Sequence, residues 1–488
     1  MKHITQVLKK EEFPIRVVQF GEGRLLRALI DPAIQAACDS GRFQGTVAVV
    51  KPTGRGNLQL FQEQDCLYTV VLRGRDGGSV TDAALPITCI RRAVSPYEDF
   101  PGFLALARLP EVEFVVSNTT EAGISLDPQD RFDSCPPASF PGKLTRFLYE
   151  RYAFFHGEAG RGLTMLPTEL IEGNGPALRR CVLALAEQWN LEEGFRRWVE
   201  ESCRFCSTLV DRIVSGCPEE ELPTLWQRFG YQDRLADVGE PFGLWAIEAG
   251  PEVAERFPID LPGSPALFVK DVQPYKQRKV RILNGGHTSM VPAAFLMGKD
   301  IVRQCMEEPL LRAFLEKAEE EIIPFVPLPR QESEAFARSV MERFENPFLE
   351  HRLLEICTNT FPKWRERVLP TVLDSMEAGK FPRLLVFSFA AMLAFYTVRQ
   401  KGDGGLFGLR GGVPYPLRDM AEPLELAERY SGKTAGEYTA AAVHGCSLFQ
   451  EELPRLSGFE KTAAGDLERI REKGIAAALR QAMEEAGK

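Results

Sequence analysis

Apolar residues recur along the chain at two periods, and the change from one to the other divides it. Up to about residue 270 the apolar runs are short, β-branched and alternating, the spacing of strands. They include Ile15-Arg-Val-Val-Gln-Phe20, Thr46-Val-Ala-Val-Val50, Glu113-Phe-Val-Val-Ser117, Leu163-Thr-Met-Leu-Pro167, residues 205–213 and 242–247, and Ala266-Leu-Phe-Val269. Tyr68-Thr-Val-Val-Leu-Arg73 and Ser79-Val-Thr predict a hairpin around Gly77-Gly78. From Lys279 onward the period is helical, over 291–308, 310–323, 332–345, 349–358, 384–401, 424–430, 434–444 and 462–486. The switch at 271–277 sets a boundary between domains 1–274 and 275–488.

The first run leads straight into Gly21-Glu-Gly23-Arg-Leu-Leu-Arg27 and then a helical pattern through Ala37. Strand, Gly-x-Gly, helix is the opening of a dinucleotide-binding fold, in which the glycines admit a pyrophosphate to the backbone and the helix N-terminus faces its charge. A plain tight turn has the same letters, and Leu26 stands where the usual third glycine would be. The expected fold class is α/β: a Rossmann-like doubly wound N-terminal domain followed by a mostly α-helical C-terminal one. On that frame Phe20, Gly21, Gly23 and Arg27 are candidate nucleotide contacts. So are Asn118, Thr120 and Glu121, because ligands of doubly wound sheets sit beyond the carboxyl ends of the strands. The same Thr-Glu pair also suits a helix N-cap. After the second strand an NAD-specific fold usually carries Asp or Glu. Here stand Lys51 and, four residues on, Arg55, cations suited to the 2′-phosphate of NADP.

Lys279-Val-Arg281-Ile-Leu283-Asn284-Gly-Gly-His287 gathers an amine, a guanidinium, a carboxamide and an imidazole within nine residues. On an α-helix Lys279, His287 and Asn284 project at about 0°, 80° and 140°, with Lys279 and His287 about 12 Å apart along the axis. These groups suit a carbonyl/alcohol interconversion: the lysine moves the hydroxyl proton, the amide holds the oxygen, and the imidazole fixes a neighbouring hydroxyl. A solvated helix face running into an Asn-Gly-Gly turn is the plain alternative. Lys363-Trp-Arg365-Glu-Arg367 is a basic cluster that either faces solvent or clamps a carboxylate.

Composition narrows the partners. Of 488 residues, 44% are hydrophobic and 26% charged, and Lys plus Arg is 59 against 68 for Asp plus Glu, a net charge of −9. That balance argues against nucleic acid as partner. The apolar run 384–398 is shorter than the ~20 residues a bilayer requires, so no membrane partner is expected. With no secretory h-region at the start of the sequence, its 11 cysteines are expected to be reduced and the protein cytoplasmic. Cys203-x-x-Cys206 with Cys217 lacks a fourth ligand, so no metal is expected. The run Gly402-Asp-Gly-Gly-Leu-Phe-Gly-Leu-Arg-Gly-Gly412 reads as a connecting loop or a mobile lid.

Lys279-x-Arg281-x-Leu283-Asn284-x-x-His287 resembles the active-site signature of the mannitol dehydrogenase family, the polyol-specific long-chain dehydrogenases. Several other stretches are similar to that family: Gln19-Phe-Gly-Glu-Gly23, Val115-Val-Ser-Asn-Thr-Thr-Glu-Ala-Gly-Ile124, Val210-Asp211-Arg212-Ile213, Arg343-Phe-Glu-Asn346-Pro347 with His351, and Lys363-Trp-Arg365-Glu-Arg367-Val-Leu-Pro370. The resemblance implies Lys279 as general acid/base, Asn284 and Asn174 around the reacting oxygen, and His287 on a substrate hydroxyl. It also implies Asp211 facing the substrate, Asn174 at the cofactor edge, and one of Lys363, Arg365 and Arg367 on a carboxylate. Gly23-Arg-Leu-Leu-Arg27-Ala replaces the Gly-x-Phe-x-Arg-x-His of the mannitol and fructuronate enzymes. This departure implies the branch that reduces the keto sugar acid tagaturonate to altronate with NADH in hexuronate breakdown, acting as a monomer or small homo-oligomer. The alternatives are another polyol or hexonate dehydrogenase of the same mechanism and a nucleotide-binding sensor without chemistry.

Overall fold

The computed structural model describes residues 1–119, 123–402 and 404–487. Its backbone separates into two compact units, Met1–Val272 and Gln273–Lys488.

In the first unit six strands pair in parallel: β1 (Ile15–Phe20), β2 (Thr46–Val50), β3 (Ile90–Val94), β4 (Phe114–Ser117), β5 (Thr164–Pro167) and β6 (Arg204–Phe205). Their spatial order is β3-β2-β1-β4-β5-β6. The order reverses between β1 and β4, which opens a crevice beyond the carboxyl ends of those two strands. Alternation fills both faces, as a strand's period of two requires. Val17, Val47 and Phe114 pack with Leu29, Ile34 and Phe257, while Val18, Val50 and Val115 pack with Phe103, Leu144 and Val182. Because both faces are covered, β2 is buried throughout and reads as a continuous apolar run.

The expected hairpin is Tyr68–Asp76 paired antiparallel with Ser79–Ile87. Gly77 and Gly78 have φ of 58° and 81°, the left-handed pair that a two-residue turn of this kind demands. The late strands leave the main sheet: Leu244–Glu248 pairs with Thr208–Asp211 on one side and Ala266–Val269 on the other.

The second unit is helical around Arg383–Phe395, of which every residue but Ala394 is buried. Among the described residues no helix is long and apolar enough to cross a membrane. The glycine-rich run is neither connecting loop nor lid. Gln400–Gly402, Gly405–Arg410 and Val413–Pro416 form an antiparallel sheet, and Gly411-Gly412, at φ 57° and 84°, make the second turn. Glycines placed for turns carried the composition that read as disorder.

One carboxyl in this unit is costly. Glu319, on the helix Pro309–Ile322, is 5% exposed and its Oε1 has no hydrogen-bond partner among the described residues. Burial, with Glu316 adding repulsion, pushes its pKa up from 4.5 to about 8. A raised acid favours the folded state fully below the unfolded pKa and loses that advantage as pH rises through the folded one. Glu319→Gln cannot ionise. It is therefore expected to have a higher urea midpoint than the parent at pH 8.5, with the difference closing as pH falls toward 5.

Candidate active site

The turn after β1 is shaped by what it must avoid. Gly21 has φ +131°, and a Cβ there would lie 2.6 Å from Leu26 Cδ1 and 2.8 Å from the Asn118 carbonyl oxygen, so no larger residue fits. Leu26, in place of the usual third glycine, is fully buried and closes that side. A Cβ at Gly23 meets nothing within 4 Å and the residue is exposed, which leaves open space in front of the backbone. The helix beyond begins with a π-helical stretch, Leu26–Ile30, before α1 (Asp31–Asp39). A crevice at the sheet's switch point and a glycine open to it fit a dinucleotide's pyrophosphate.

Four candidate contacts of the nucleotide also have partners within the fold. The Phe20 ring sits in the core against Phe103, Phe140 and Phe147, and its carbonyl accepts the Asn118 N–H. Arg27 turns inward, donating to the Leu235 carbonyl at 2.6 Å and pairing with Asp237 at 3.1 Å. Lys51 is 1% exposed and caps its own loop, donating to the Thr53 and Arg55 carbonyls. Its ammonium is thereby spent and unavailable to a 2′-phosphate, while Arg55 stays exposed. Asn174 has partners of its own. Its amide donates to the carbonyls of Pro167 (2.9 Å), Thr208 (3.0 Å) and Glu169 (3.1 Å), and its Oδ1 accepts from Gly175 and Thr208, both at 2.9 Å. These bonds tie β5, the helix α2 (Asn174–Gln188) and the strand Thr208–Asp211 together and hold the amide in place.

Asn118 stands at the carboxyl end of β4 and donates to Thr168, at 3.0 Å to its hydroxyl. Thr120 and Glu121 lie outside the described residues. Glu169, to which no site role was given beforehand, accepts from Ser117 Oγ and from the N–H and hydroxyl of Thr119, each at 3.0 Å. Burial pushes its pKa up against those bonds. The signal for it was Thr168-Glu169, two polar residues directly at a strand's carboxyl end. Asp211 is buried as the last residue of its strand, and the adjacent Arg212 donates to the carbonyls of Ala28, Pro241 and Phe242.

In the second unit Lys279–Asn284 is π-helical and runs without a break into α3 (Gly285–Leu296). A backbone closing i→i+5 bonds takes more residues per turn than an α-helix, so Lys279 and Asn284 subtend less than the 140° expected of α geometry. Both are half-buried. Asn284-Gly285-Gly286 is helix rather than turn. Gly285 lets the carbonyl of Arg367 approach to 3.1 Å from where a Cβ would be, and Gly286 does the same for Leu315.

His287 is 7% exposed. Its ring stacks on Phe344 at 4.0 Å and 19°, and meets His351 edge-on at 5.4 Å. Its Nε2 has no hydrogen-bond partner among the described residues. Burial first, then the charges of His351, Arg343, Arg367 and Lys363, holds its pKa well below 6.5, so the ring is neutral at pH 7. The cations around it come from two helices, α4 (Arg330–Phe344) and α5 (Thr360–Arg367). Lys363 Nζ donates to the Ile356 carbonyl at 2.9 Å, and Arg367 approaches the Thr288 hydroxyl at 3.4 Å. Burial lowers both of their pKa values, and for Lys363 the neighbouring Arg367 adds to the shift. The other members of the basic motifs are committed elsewhere: Arg365 pairs with Glu452 at 2.6 Å and Arg281 with Asp374 at 2.5 Å. Among the described residues no group of three or more His, Cys, Asp or Glu is placed to hold a metal.

Comparison with known proteins identifies the family. Residues 15–261 match the mannitol dehydrogenase Rossmann domain and residues 271–471 the mannitol dehydrogenase C-terminal domain. Altronate oxidoreductase of Escherichia coli O1:K1 is 41% identical over 479 residues, covering 96% of this chain and 97% of the relative. Among solved structures, substrate-free D-sorbitol dehydrogenase superposes with a TM-score of 0.79 at 22% identity, covering 96% of this chain and 97% of its own. Mannitol 2-dehydrogenase of Pseudomonas fluorescens, solved with NAD and D-mannitol, superposes at 0.67 and 20% identity, covering 99% and 100%. At such identities the two superpositions establish the fold. With both halves matched by its domains, the chain belongs to the mannitol dehydrogenase family, oxidoreductases acting on CH–OH groups.

Proposed function

We propose that this enzyme interconverts tagaturonate and altronate with NAD, using Lys279 as general acid/base, as a step of hexuronate breakdown. One observation carries the reading beyond the family: a buried neutral imidazole with an unpartnered Nε2 lies within the field of Arg343, Lys363 and Arg367. A hydroxyl satisfies the first and a carboxylate the second, and a sugar acid has both. The similarity to altronate oxidoreductase supports the same substrate class.

In the oxidative direction Lys279 takes the proton of the reacting hydroxyl, and the Asn284 amide donates to the oxygen as it becomes a carbonyl. His287 bonds a neighbouring hydroxyl and sets which carbon is presented. Lys363 and Arg367 hold the carboxylate. The Gly21-Glu22-Gly23 turn, Asn118 and Thr119 would hold the nucleotide, whose nicotinamide supplies the hydride acceptor when bound. Lys51 is locked into its own loop, which removes one of the two candidate cations for a 2′-phosphate and leaves Arg55 exposed.

A spectrophotometric screen tests this directly. NADH oxidation is expected with tagaturonate at a kcat/KM at least tenfold above that with fructose, a loss of about 1.4 kcal/mol or more for lacking the carboxylate. NADPH is expected to be the poorer cofactor. Equal rates with fructose would remove the sugar-acid reading, and preference for fructuronate would move the enzyme to the neighbouring hexonate activity.

A further inference from the structure

The second unit contains a cavity of about 560 Å³ that takes no part in the chemistry above. Its apolar walls come from Phe295, Tyr415 and the prolines 414 and 416 of the small antiparallel sheet, and its polar ones from Asp300, Glu350, Arg352 and Arg410. Phe295 lies eight residues beyond His287 on α3, about 12 Å along the axis, so this wall is separate from the His287 site, while Glu350 and Arg352 flank His351, whose ring meets that of His287. Arg410 is a fixed wall: its guanidinium lies 4.1 Å over the Phe295 ring, pairs with Asp300 at 2.6 Å and donates to the Lys299 carbonyl at 2.9 Å. Its charge is compensated. Arg352 differs: it is exposed at the mouth of the cavity, with no side-chain hydrogen bond or ion pair among the described residues, and its backbone is pinned by a bridge to Ile301. Glu350, an exposed carboxylate lining the same cavity, likewise has no side-chain partner among the described residues.

We infer that this cavity is a second binding site for a sugar-acid anion, distinct from the catalytic one. A guanidinium without a counter-ion recognises a carboxylate bidentately. Carboxylates such as Glu350 accept from hydroxyls, and aromatic rings and prolines take the C–H face of a sugar chain. Asp300 does not oppose the anion because Arg410 neutralises it. A purely apolar ligand would leave Arg352 unpaired, and a phosphate would gain nothing from Glu350 or the rings. The assignment stands on the lining alone and does not depend on which ketone the enzyme reduces.

Titration calorimetry of the full chain with D-gluconate as probe tests it, with D-sorbitol and inorganic phosphate as controls. The expected result is two gluconate sites per chain. Arg352→Ala should weaken one of them at least tenfold while tagaturonate turnover stays within twofold of the parent. Arg367→Ala should keep the Arg352-dependent site, and that site should remain even if no sugar acid is turned over. A single site indifferent to Arg352→Ala would overturn the inference. Equal binding of sorbitol, or stronger binding of phosphate, would overturn the ligand class.

Discussion

Lys279→Ala is expected to lower kcat by about 10²–10⁴-fold, the contribution of a positioned acid/base, with little change in NADH affinity. The split follows from where the groups sit in the chain. The residues assigned to the nucleotide belong to Met1–Val272, whereas Lys279 opens the π-helical stretch of the second unit. No other amine in that stretch can substitute, because the adjacent cation, Arg281, is held by Asp374. The measurement is a steady-state kcat with tagaturonate across pH 6–10, beside a fluorescence titration of NADH. The variant should lose the ionisation that governs the parent's pH–rate profile. Turnover within threefold of the parent, with the profile unchanged, would assign the proton to another group. Loss of NADH binding together with turnover would point to unfolding, so the titration separates the two causes.

The fold class, a nucleotide-binding α/β half and a helical half, was legible because periodicity and glycine placement are local properties. β1, the Gly21 turn and the helix after it can be read from twenty consecutive letters. The position of a polar head group is not local. Lys51 and Arg27 carry the charge a nucleotide site needs, yet each finds closer acceptors in the fold: two loop carbonyls in one case, Leu235 and Asp237 in the other. Asn174 shows the same limit, since the strand Thr208–Asp211 that bonds its amide is more than thirty residues away in sequence. The π-helical turn at Lys279–Asn284 was hidden for a different reason: its letters suit an α-helix, and the choice between i→i+4 and i→i+5 bonding is made by packing. Within the basic motif, sequence alone could not separate Arg365 from Lys363 and Arg367. A single partner, Glu452, does so.

Arg367→Ala is expected to raise KM for tagaturonate by about 30- to 1,000-fold, the ~2–4 kcal/mol lost when one member of a desolvated charge pair is removed. KM for the neutral ketose fructose should move less than threefold. Lys363 and Arg367 make no ion pair with any described side chain, and burial works against both charges. Two like charges kept together away from water are unfavourable unless something anionic joins them, and folds retain such arrangements chiefly where a ligand supplies the compensation. The free enzyme therefore carries the cost and the bound carboxylate relieves it. Two consequences follow together: altronate should raise the thermal midpoint of the parent, and Arg367→Ala should be no less stable than the parent without ligand but gain less from altronate. Lys363→Ala should act in the same direction, and the double substitution should cost less than the sum of the two, because both residues share one carboxylate. Equal losses with tagaturonate and fructose would show that these cations position the helix and not the substrate.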